Sequence, residues 1–263
     1  MGKIGENLEM IPKRGAEHKT RTAHPTAVPL SAVRRALTAG DARGMMGEKE
    51  DPMVCYVFGA GQTPREIPSP GAGDLVIAAD AGLTVCRERG IVPDLTVGDF
   101  DSLGEIPAGA GVVRLPVEKD ETDMAAAVRL GEARGYRVFY LFGGTGGRPD
   151  HTYANYQLLA ALAERGERGI LFGAEYSAAA ISDGSSLTFP TGAGQTLSVF
   201  AVGGEADGVT ERGVAYPLTG ATLSPSHPLG VSNSRLTGER AVISVTRGTL
   251  LVFWEGHILP NFS

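Results

Sequence analysis

Short apolar segments alternate with segments of helical periodicity between residues 53 and 172. The apolar segments are continuously hydrophobic, a pattern typical of parallel strands buried on both faces of a sheet. The predicted strands are Met53–Phe58, Asp74–Ala79, Leu95–Val97, Val112–Leu115, Tyr136–Phe142 and Ile170–Phe172. The predicted helices are Ala81–Arg89, Asp123–Arg134 with Thr122 as its N-cap, and Tyr153–Arg165. This order predicts an α/β fold, with a Rossmann-like parallel sheet covered by helices.

The character of the sequence changes after about residue 177. Helical periodicity ends there, and short β-rich segments follow, separated by Gly, Pro and Ser. The predicted strands are Ser186–Phe189, Thr196–Val202, Gly208–Thr210, Ala221–Leu223, Ala241–Thr246 and Thr249–Trp254. Short strands with turn signals between them indicate a β-sandwich or a jelly-roll-like domain, of which we expect the β-sandwich. The sequence therefore predicts an α/β domain at 53–177 and a C-terminal β-sandwich domain at 178–263.

The first 52 residues differ from both of these parts. They combine many basic and acidic side chains with few large apolar residues and no sustained periodicity. A transit peptide would be poor in acids and a secretory signal would carry an apolar core, so neither is expected. Met46 lies shortly before the first predicted strand and Met53 begins it, so the segment could also come from an upstream start. We expect residues 1–52 to be a disordered or loosely attached extension.

Composition and charge argue against several classes of function. The net charge is −6 and no basic stripe is present, which argues against general nucleic-acid binding. No apolar run approaches the roughly 20 residues that a membrane-spanning helix needs. Cys55 and Cys86 lie inside apolar runs, which favours reduced core thiols over a disulfide or a zinc site. We therefore expect a cytoplasmic protein without nucleic-acid or membrane partners.

Carboxylates are concentrated between Asp94 and Asp123, where eight acidic residues accompany two basic ones. Four of these acids form two tight pairs, Asp99 with Asp101 and Asp120 with Asp123, and each pair follows a predicted strand. Carboxylates gathered at strand ends repel one another unless a cation lies between them. Oxygen ligands of this kind suit Mg²⁺, which binds one or two carboxylates together with substrate phosphates. The pattern therefore predicts an enzyme that handles a magnesium nucleotide.

A glycine-rich segment, Gly143–Gly147, follows the fifth predicted strand. Main-chain N–H groups of such a loop and the dipole of the next helix can hold phosphate, although the segment taken alone also fits a simple turn. It is not a Walker A loop, because no Gly-Lys-Ser/Thr follows. Arg148 offers a planar fork for phosphate. Asp150 is either a nucleotide contact or a helix cap, and His151 alone is better explained as structural. Together with Asp80 after the second strand, these groups are expected at the carboxyl edge of the sheet, where ligands bind.

These motifs together resemble the thiamine pyrophosphokinase family. The resemblance covers roughly residues 53–263 and rests on Ala79–Gly82, Pro93–Ser102, Asp120–Asp123, Gly143–His151 and Val231–Asn233. It implies a nucleotide- and metal-binding catalytic domain, followed by a β-sandwich that binds thiamine and forms a homodimer with active sites at the subunit interface. The implied reaction is Mg²⁺-dependent transfer of pyrophosphate from ATP to thiamine, which gives thiamine diphosphate and AMP.

The resemblance and the chemistry of the residues suggest a role for each candidate. The expected metal ligands are Asp99, Asp101 and Asp123, and with Arg148 they form the expected catalytic set. ATP binding is expected from Asp80, Asp120, Gly143, Gly144, Thr145, Gly146, Arg148 and Asp150. Tyr216 replaces the Trp that the family often has, and it would either stack on the thiazolium ring or belong to the β-domain core. Ser232 and Asn233, expected in a loop before a strand, would hydrogen-bond the aminopyrimidine.

Three other functions fit parts of the sequence. The Asp99-Phe100-Asp101 motif would also suit a nucleotide-sugar glycosyltransferase, although the later motifs do not favour one. A related diphosphokinase that acts on another alcohol, such as a hydroxymethylpterin, is the nearest enzymatic alternative. A non-catalytic nucleotide-binding protein is the alternative from a different class. The retained carboxylates and Arg148 argue against it, because such a cluster is costly to keep without a use.

Overall fold

The computed structural model describes residues 52–100, 111–114, 121–192, 194–236 and 238–263. Within these ranges the chain forms a 14-stranded sheet system and three helices. Apart from Pro52, the predicted N-terminal extension lies outside the described residues. The same holds for Asp101 and Asp120, two of the predicted site residues.

Six parallel strands form the first part of the sheet, as the sequence predicts. They are β1 (Cys55–Phe58), β2 (Leu75–Ala79), β3 (Leu95–Gly98), β4 (Val112–Arg114), β5 (Val138–Phe142) and β6 (Arg168–Phe172). Their order in the sheet is β6-β5-β1-β2-β3-β4, and every neighbouring pair is parallel. Strands β2, β3 and β4 lie on one side of β1, and β5 and β6 lie on its other side. The boundary between β1 and β5 is therefore the topological switch point, where open α/β sheets bind ligands.

The strands read as continuously apolar because both faces of the parallel sheet are covered. The helices are α1 (Gly82–Glu88), α2 (Asp123–Glu132) and α3 (Pro149–Glu164). Tyr56 and Phe58 pack into one apolar cluster, which also contains Leu83 of α1 and continues into the core of the C-terminal strands. Cys55 and Val57 point to the opposite face, where they pack with side chains of α2 and α3. None of the described helices is long and apolar enough to cross a bilayer.

Helix starts follow the local sequence signals. Thr122 is the N-cap of α2, and its Oγ accepts a hydrogen bond of 3.2 Å from the N–H of Ala125, as predicted. Helix α3 begins at Pro149, four residues before the predicted start at Tyr153. Proline suits the first helical position because its φ is preset and its missing N–H would have no helical partner there. Asp150 therefore lies within the first turn and is not the cap.

The remaining strands form antiparallel layers. They are β7 (Tyr176–Ser182), β8 (Ser186–Thr188), β9 (Thr196–Arg212), β10 (Leu218–Leu223), β11 (Gly230–Ser234), β12 (Val242–Ser244), β13 (Arg247–Glu255) and β14 (Asn261–Phe262). One layer contains β7, β13, β11 and part of β9, and the other contains β10, β12, β8, β14 and the rest of β9. The predicted β-sandwich is therefore present. Strand β7 pairs with β6 and spans residue 177, so the main-chain hydrogen bonding continues across the predicted domain boundary.

Three expectations for the C-terminal strands are wrong. Thr196–Val202 and Gly208–Thr210 belong to one strand, β9, which changes sheets between Val202 and Asp207 where its register with β13 shifts. Glycines at this bend give turn signals inside a continuous strand, as at the corners of β-sandwiches. Ser232 and Asn233 lie in β11 and not in a loop. A bulge between Gly230 and Asn233 hides the alternation of inward and outward side chains in that strand.

The sequence pattern also does not predict the alanine-rich β7, because alanine has a low strand propensity.

Candidate functional site

A cleft of about 390 Å³ opens at the switch point, between the segments that follow β1 and β5. Three main-chain hydrogen bonds of 2.7–2.8 Å join these segments, from the N–H groups of Gly59, Gly61 and Gln62. Their acceptors are the carbonyls of Phe142, Gly143 and Thr145, respectively. This contact requires glycine at position 143, where φ is +68° and a Cβ atom would lie 2.2 Å from the Gly59 oxygen. The glycines thus let two loops form a joint backbone wall.

Helix α3 supports this wall from behind. The buried side chain of Asn155 donates a 2.8 Å hydrogen bond from Nδ2 to the carbonyl oxygen of Gly144. A Cβ atom on Gly144 would lie 2.6 Å from Leu171 Cδ1, so the loop packs tightly on the sheet as well. The geometry of the glycine-rich segment is therefore fixed by tertiary contacts on both sides.

The N-terminus of α3 points the main-chain N–H groups of its first turn toward the same region, which favours negative charge. The side chain of Arg148, the N-cap residue of this 16-residue helix, makes no capping hydrogen bond. Arg148 precedes the helix and lines the cleft. Its guanidinium forms a two-point ion pair with Asp150, with distances of 2.5 Å for Nη2–Oδ2 and 3.2 Å for Nε–Oδ1. Hydrogen bonding to Arg148 lowers the pKa of the exposed Asp150 carboxyl to about 2. Both groups thus stay charged at the mouth of the cleft.

Carboxylates stand on the opposite wall. Asp80 follows β2 and has a φ of +47°. Its main-chain N–H donates a 2.7 Å hydrogen bond to the carbonyl oxygen of Val97. Its Oδ1 atom is buried and has no hydrogen-bond partner among the described residues. A Cβ atom on Gly98 would lie 3.0 Å from Asp80 Cα, so glycine there allows β3 to approach this acid closely. Asp123, the first residue of α2, also lines the cleft. Two predicted acids therefore face the glycine wall.

Two of the three predicted metal ligands, Asp99 and Asp123, lie within the described residues. Asp99 follows β3 and is half-buried, and the next residue, Phe100, is buried with φ +64°. Within the described residues no group of three acidic, histidine or cysteine side chains has the geometry to hold a metal ion. Asp101, the third expected ligand, lies outside the described residues. The buried Oδ1 of Asp80, which has no hydrogen-bond partner among the described residues, and Asp123, which lines the same cleft, nevertheless suit a hard cation, because such cations take oxygen ligands.

The candidate thiamine residues lie in the β-domain and, in the described parts of the chain, do not line the cleft. The Tyr216 side chain is 74% exposed, so the alternative that it is a core residue is wrong. Its main chain is held by Asn233, whose Oδ1 accepts from Tyr216 N at 3.0 Å and whose Nδ2 donates to Tyr216 O at 2.8 Å. Ser232 is exposed with φ +58°, and its N–H donates to Ser198 Oγ at 3.0 Å.

A second cavity of about 460 Å³ adjoins the cleft. Thr145 lines both spaces, and a Cβ atom on Gly173 would lie 3.0 Å from Thr145 Oγ. The walls of this cavity include Tyr156 and Phe253, whose rings meet edge to face at 5.0 Å. The cavity is therefore a partly aromatic space that begins at the glycine-rich loop.

Of the residues expected at one site, Asp80, Asp123, Gly143, Gly144, Thr145 and Arg148 line the cleft, whereas Gly146 and Asp150 are not among its lining residues in the described part of the chain. Two further features of the cleft are not predicted from the sequence. The wall formed by Gly59–Gly61 carried a signal, since a Gly-x-Gly after the first strand of an α/β sheet often approaches a ligand. No sequence signal indicated Asn155, because its hydrogen bond to Gly144 forms only when α3 packs on the loop. His151, expected to be structural, is exposed and lines the cleft.

Comparison with known proteins gives matches over both parts of the chain. Residues 72–170 match the family model described as thiamin pyrophosphokinase, catalytic domain. Residues 186–250 match thiamin pyrophosphokinase, vitamin B1 binding domain. The chain is similar to thiamine pyrophosphokinase of Bacillus subtilis (strain 168), with 27% identity over 184 residues that cover 68% of this chain and 86% of the relative.

Solved structures show the same fold. The crystal structure of thiamine pyrophosphokinase from Bacillus subtilis superimposes with a TM-score of 0.65 at 23% identity, over 78% of this chain and 100% of that one. The yeast thiamin pyrophosphokinase structure gives a TM-score of 0.60 at 14% identity, over 80% of this chain and 87% of that one. At these identities the structural similarity supports the fold, and the assignment to a family rests on the two family models.

Proposed function

The chain belongs to the thiamine pyrophosphokinase family and is a thiamine diphosphokinase, and we propose that its cleft binds the triphosphate of magnesium ATP while the β-domain supplies the thiamine site. One observation carries the nucleotide proposal. The backbone wall of Gly59 and Gly143, the N-terminus of α3 and the carboxylates Asp80 and Asp123 meet in a single cleft at the switch point. The glycines let phosphate approach the wall closely, the N–H groups of the first turn of α3 would hold phosphate oxygens, and the carboxylates would hold the cation that accompanies them.

In this proposal Asp99, Asp101 and Asp123 would hold Mg²⁺, and Asp80 and Asp120 would either support these ligands or contact the nucleotide. The Oδ1 of Asp80 supports the proposal, because it has no hydrogen-bond partner within the described ranges and a buried carboxylate oxygen is costly unless it meets a donor or a cation. When bound, the metal neutralises negative charge on the polyphosphate. The protein's own contribution is to fix the phosphates on the glycine wall and to keep both substrates in line.

The reaction forms one bond and breaks one. The hydroxyl oxygen of thiamine attacks the β-phosphorus of ATP, and AMP leaves with the oxygen that bridged the α- and β-phosphorus atoms. A carboxylate of the acidic wall takes the hydroxyl proton. Phosphoryl-type transfer of this kind depends mainly on positioning and charge neutralisation.

Arg148 has a defined place in this scheme. Its fork already forms a two-point ion pair with Asp150 at the cleft mouth, and both side chains are more than half exposed, at 72% and 60%. The other edge of the guanidinium, which carries Nη1, can donate to a polyphosphate at the start of α3. Asp150 then keeps the guanidinium oriented at the mouth while the phosphates bind.

Thiamine carries a permanent positive charge on its thiazolium ring, which suits stacking on the exposed ring of Tyr216. Ser232 lies on the same part of the β-domain as Asn233, the residue that holds Tyr216. Because these residues do not line the cleft of their own chain in the described regions, we propose a homodimer in which the β-domain of one subunit completes the cleft of the other.

The base of the nucleotide fits the adjoining cavity. That space begins at Thr145, the residue it shares with the phosphate cleft, and it has aromatic walls from Tyr156 and Phe253. A planar purine gains both apolar burial and ring contacts there. We place the reaction in the cytoplasm, which suits two buried thiols, Cys55 and Cys86, whose pKa values burial raises to about 12.

The test compares acceptor alcohols. The purified full chain is incubated with Mg-ATP and either thiamine or a hydroxymethylpterin, and nucleotide and acceptor products are separated and quantified. We expect diphosphorylated product with thiamine only, and none after chelation of the metal. Equal or faster turnover of the pterin would refute the proposed acceptor, and turnover that survives complete metal removal would refute the proposed metal role.

A further inference from the structure

The amide of Asn233 uses its complete hydrogen-bonding capacity inside the protein. Oδ1 accepts from the N–H groups of Tyr216 and Ser234, each at 3.0 Å. Nδ2 donates to Tyr216 O at 2.8 Å and to Glu211 Oε2 at 3.0 Å. A primary amide has two acceptor sites and two donor hydrogens, so all four are occupied. These partners also fix its orientation, because the Tyr216 N–H can face only the oxygen. Asn233 can therefore hydrogen-bond thiamine only by giving up one of these contacts.

Glu211 anchors this amide from inside the β-domain. Its side chain is fully buried, and its Oε1 atom has no hydrogen-bond partner among the described residues. Burial raises the pKa of the Glu211 carboxyl, and the hydrogen bond from Asn233 offsets this only in part. Among the described residues, Asn233 is the one hydrogen-bond partner of the Glu211 carboxyl. A buried acid with one partner is costly to maintain, so this hydrogen bond is the interaction that can explain its position.

The segment that Asn233 holds presents the most exposed aromatic ring of the β-domain. Tyr216 is 74% exposed, while its N–H and carbonyl are both fixed by one side chain. The neighbouring main chain is tied to β11 as well, because Ala215 N donates to Ser234 O at 2.8 Å. A rigid backbone beneath an exposed aromatic ring lowers the entropy lost when a ligand stacks on that ring.

We propose that Asn233 and Glu211 are positioning residues, which hold the Tyr216 backbone so that its ring is presented to the thiazolium of thiamine. The inference rests on the proposed function, because it assigns these residues a task only if Tyr216 contacts thiamine. It changes the role of Asn233 from a direct substrate contact to an indirect one. It also adds Glu211, which no sequence motif indicated.

The test is a double-mutant cycle on the thiamine KM. Asn233→Ala should raise the thiamine KM roughly ten- to thirtyfold, the range expected when the Tyr216 contact is lost, and should leave the ATP KM unchanged. In a Tyr216→Ala background the same substitution should have little further effect, because the contact it supports is already gone. Glu211→Leu, which keeps the volume but removes the acceptor, should shift the thiamine KM in the same direction. Glu211→Gln keeps the acceptor and should restore the KM of the parent chain.

Ile243→Val serves as the stability control, because Ile243 lies opposite Glu211 on β12. It should lower the melting temperature without changing the thiamine KM. If Asn233→Ala does not fold, Glu211→Leu, made in the parent chain and in the Tyr216→Ala background, carries the cycle. An undiminished effect of Asn233→Ala in the Tyr216→Ala background would mean that Asn233 contacts substrate directly. A Glu211→Leu variant with an unchanged thiamine KM would leave Glu211 without the proposed role. Either result overturns the inference while the parent chain still converts thiamine, whereas a parent chain without that activity refutes the proposed function itself.

Discussion

The backbone wall between the loops after β1 and β5 can be tested with two glycine substitutions. Gly143 and Gly135 both have positive φ, +68° and +90°. A Cβ atom on Gly143 would lie 2.2 Å from the Gly59 oxygen, whereas a Cβ on Gly135 would meet nothing within 4 Å. Gly135→Ala therefore imposes backbone strain alone, and Gly143→Ala imposes the same strain together with a clash in the wall.

The expected magnitudes follow from these contacts. A left-handed conformation costs an L-residue about 1–2 kcal/mol, so Gly135→Ala should destabilise the fold by about that amount. In Gly143→Ala the two loops must also separate, which disturbs the hydrogen bonds from Gly59 N to Phe142 O and from Gly61 N to Gly143 O. Two such bonds contribute about 1–3 kcal/mol together, so the total loss should reach about 2–5 kcal/mol.

Denaturant unfolding of the two variants measures this difference, and steady-state kinetics measures its effect on the site. Gly143→Ala should raise the ATP KM strongly, because the wall that holds the phosphates moves, while Gly135→Ala should leave it unchanged. If Gly143→Ala is no more destabilising than Gly135→Ala, or binds ATP normally, the two loops do not form the phosphate wall.

Three further outcomes are expected. Asp99→Asn or Asp101→Asn should lower turnover at least about a hundredfold at limiting Mg²⁺ while circular dichroism stays unchanged, and near-full activity would remove that residue from the metal site. Tyr216→Ala should raise the thiamine KM roughly ten- to thirtyfold and Tyr216→Phe should be nearly silent, whereas equal effects on ATP and thiamine would argue against stacking. Burial raises the pKa of Glu211 above its ordinary value of 4.5, so the native state binds its proton more tightly than the unfolded state. The stability this contributes is complete below pH 4.5 and is lost as the pH rises through the native pKa. As the pH rises from 4.5 through the native pKa, the free energy of unfolding of the parent chain should therefore decrease relative to that of Glu211→Gln. The same pH dependence in both proteins would contradict the raised pKa of Glu211.

The parallel sheet and the acidic side of the cleft could be predicted from local sequence patterns. Continuous apolar strands imply coverage on both faces, and parallel strands bring their carboxyl ends to one edge. Asp80 and Asp123 could thus be assigned to one site although 43 residues separate them in the sequence. Their placement needs only strand direction and order, which the pattern supplies.

Local sequence patterns could not predict the features that depend on tertiary contacts. The bend in β9 and the bulge in β11 place glycine and polar residues inside strands, where they look like loops. The hydrogen bond from Asn155 to Gly144 and the link between Asn233 and Glu211 join residues 11 and 22 positions apart. Nothing in the local sequence marks a buried amide as the support of a distant backbone segment.

We propose that a pyrophosphoryl group moves as one unit from ATP to thiamine. Phosphorus-31 NMR of the full chain with Mg-ATP and thiamine can show this transfer, because it resolves every phosphorylated product in one sample. We expect AMP and thiamine diphosphate to rise together in equal amounts while no thiamine monophosphate accumulates. The appearance of ADP with thiamine monophosphate would contradict attack at the β-phosphorus, and with it the proposed arrangement of the two substrates in the cleft.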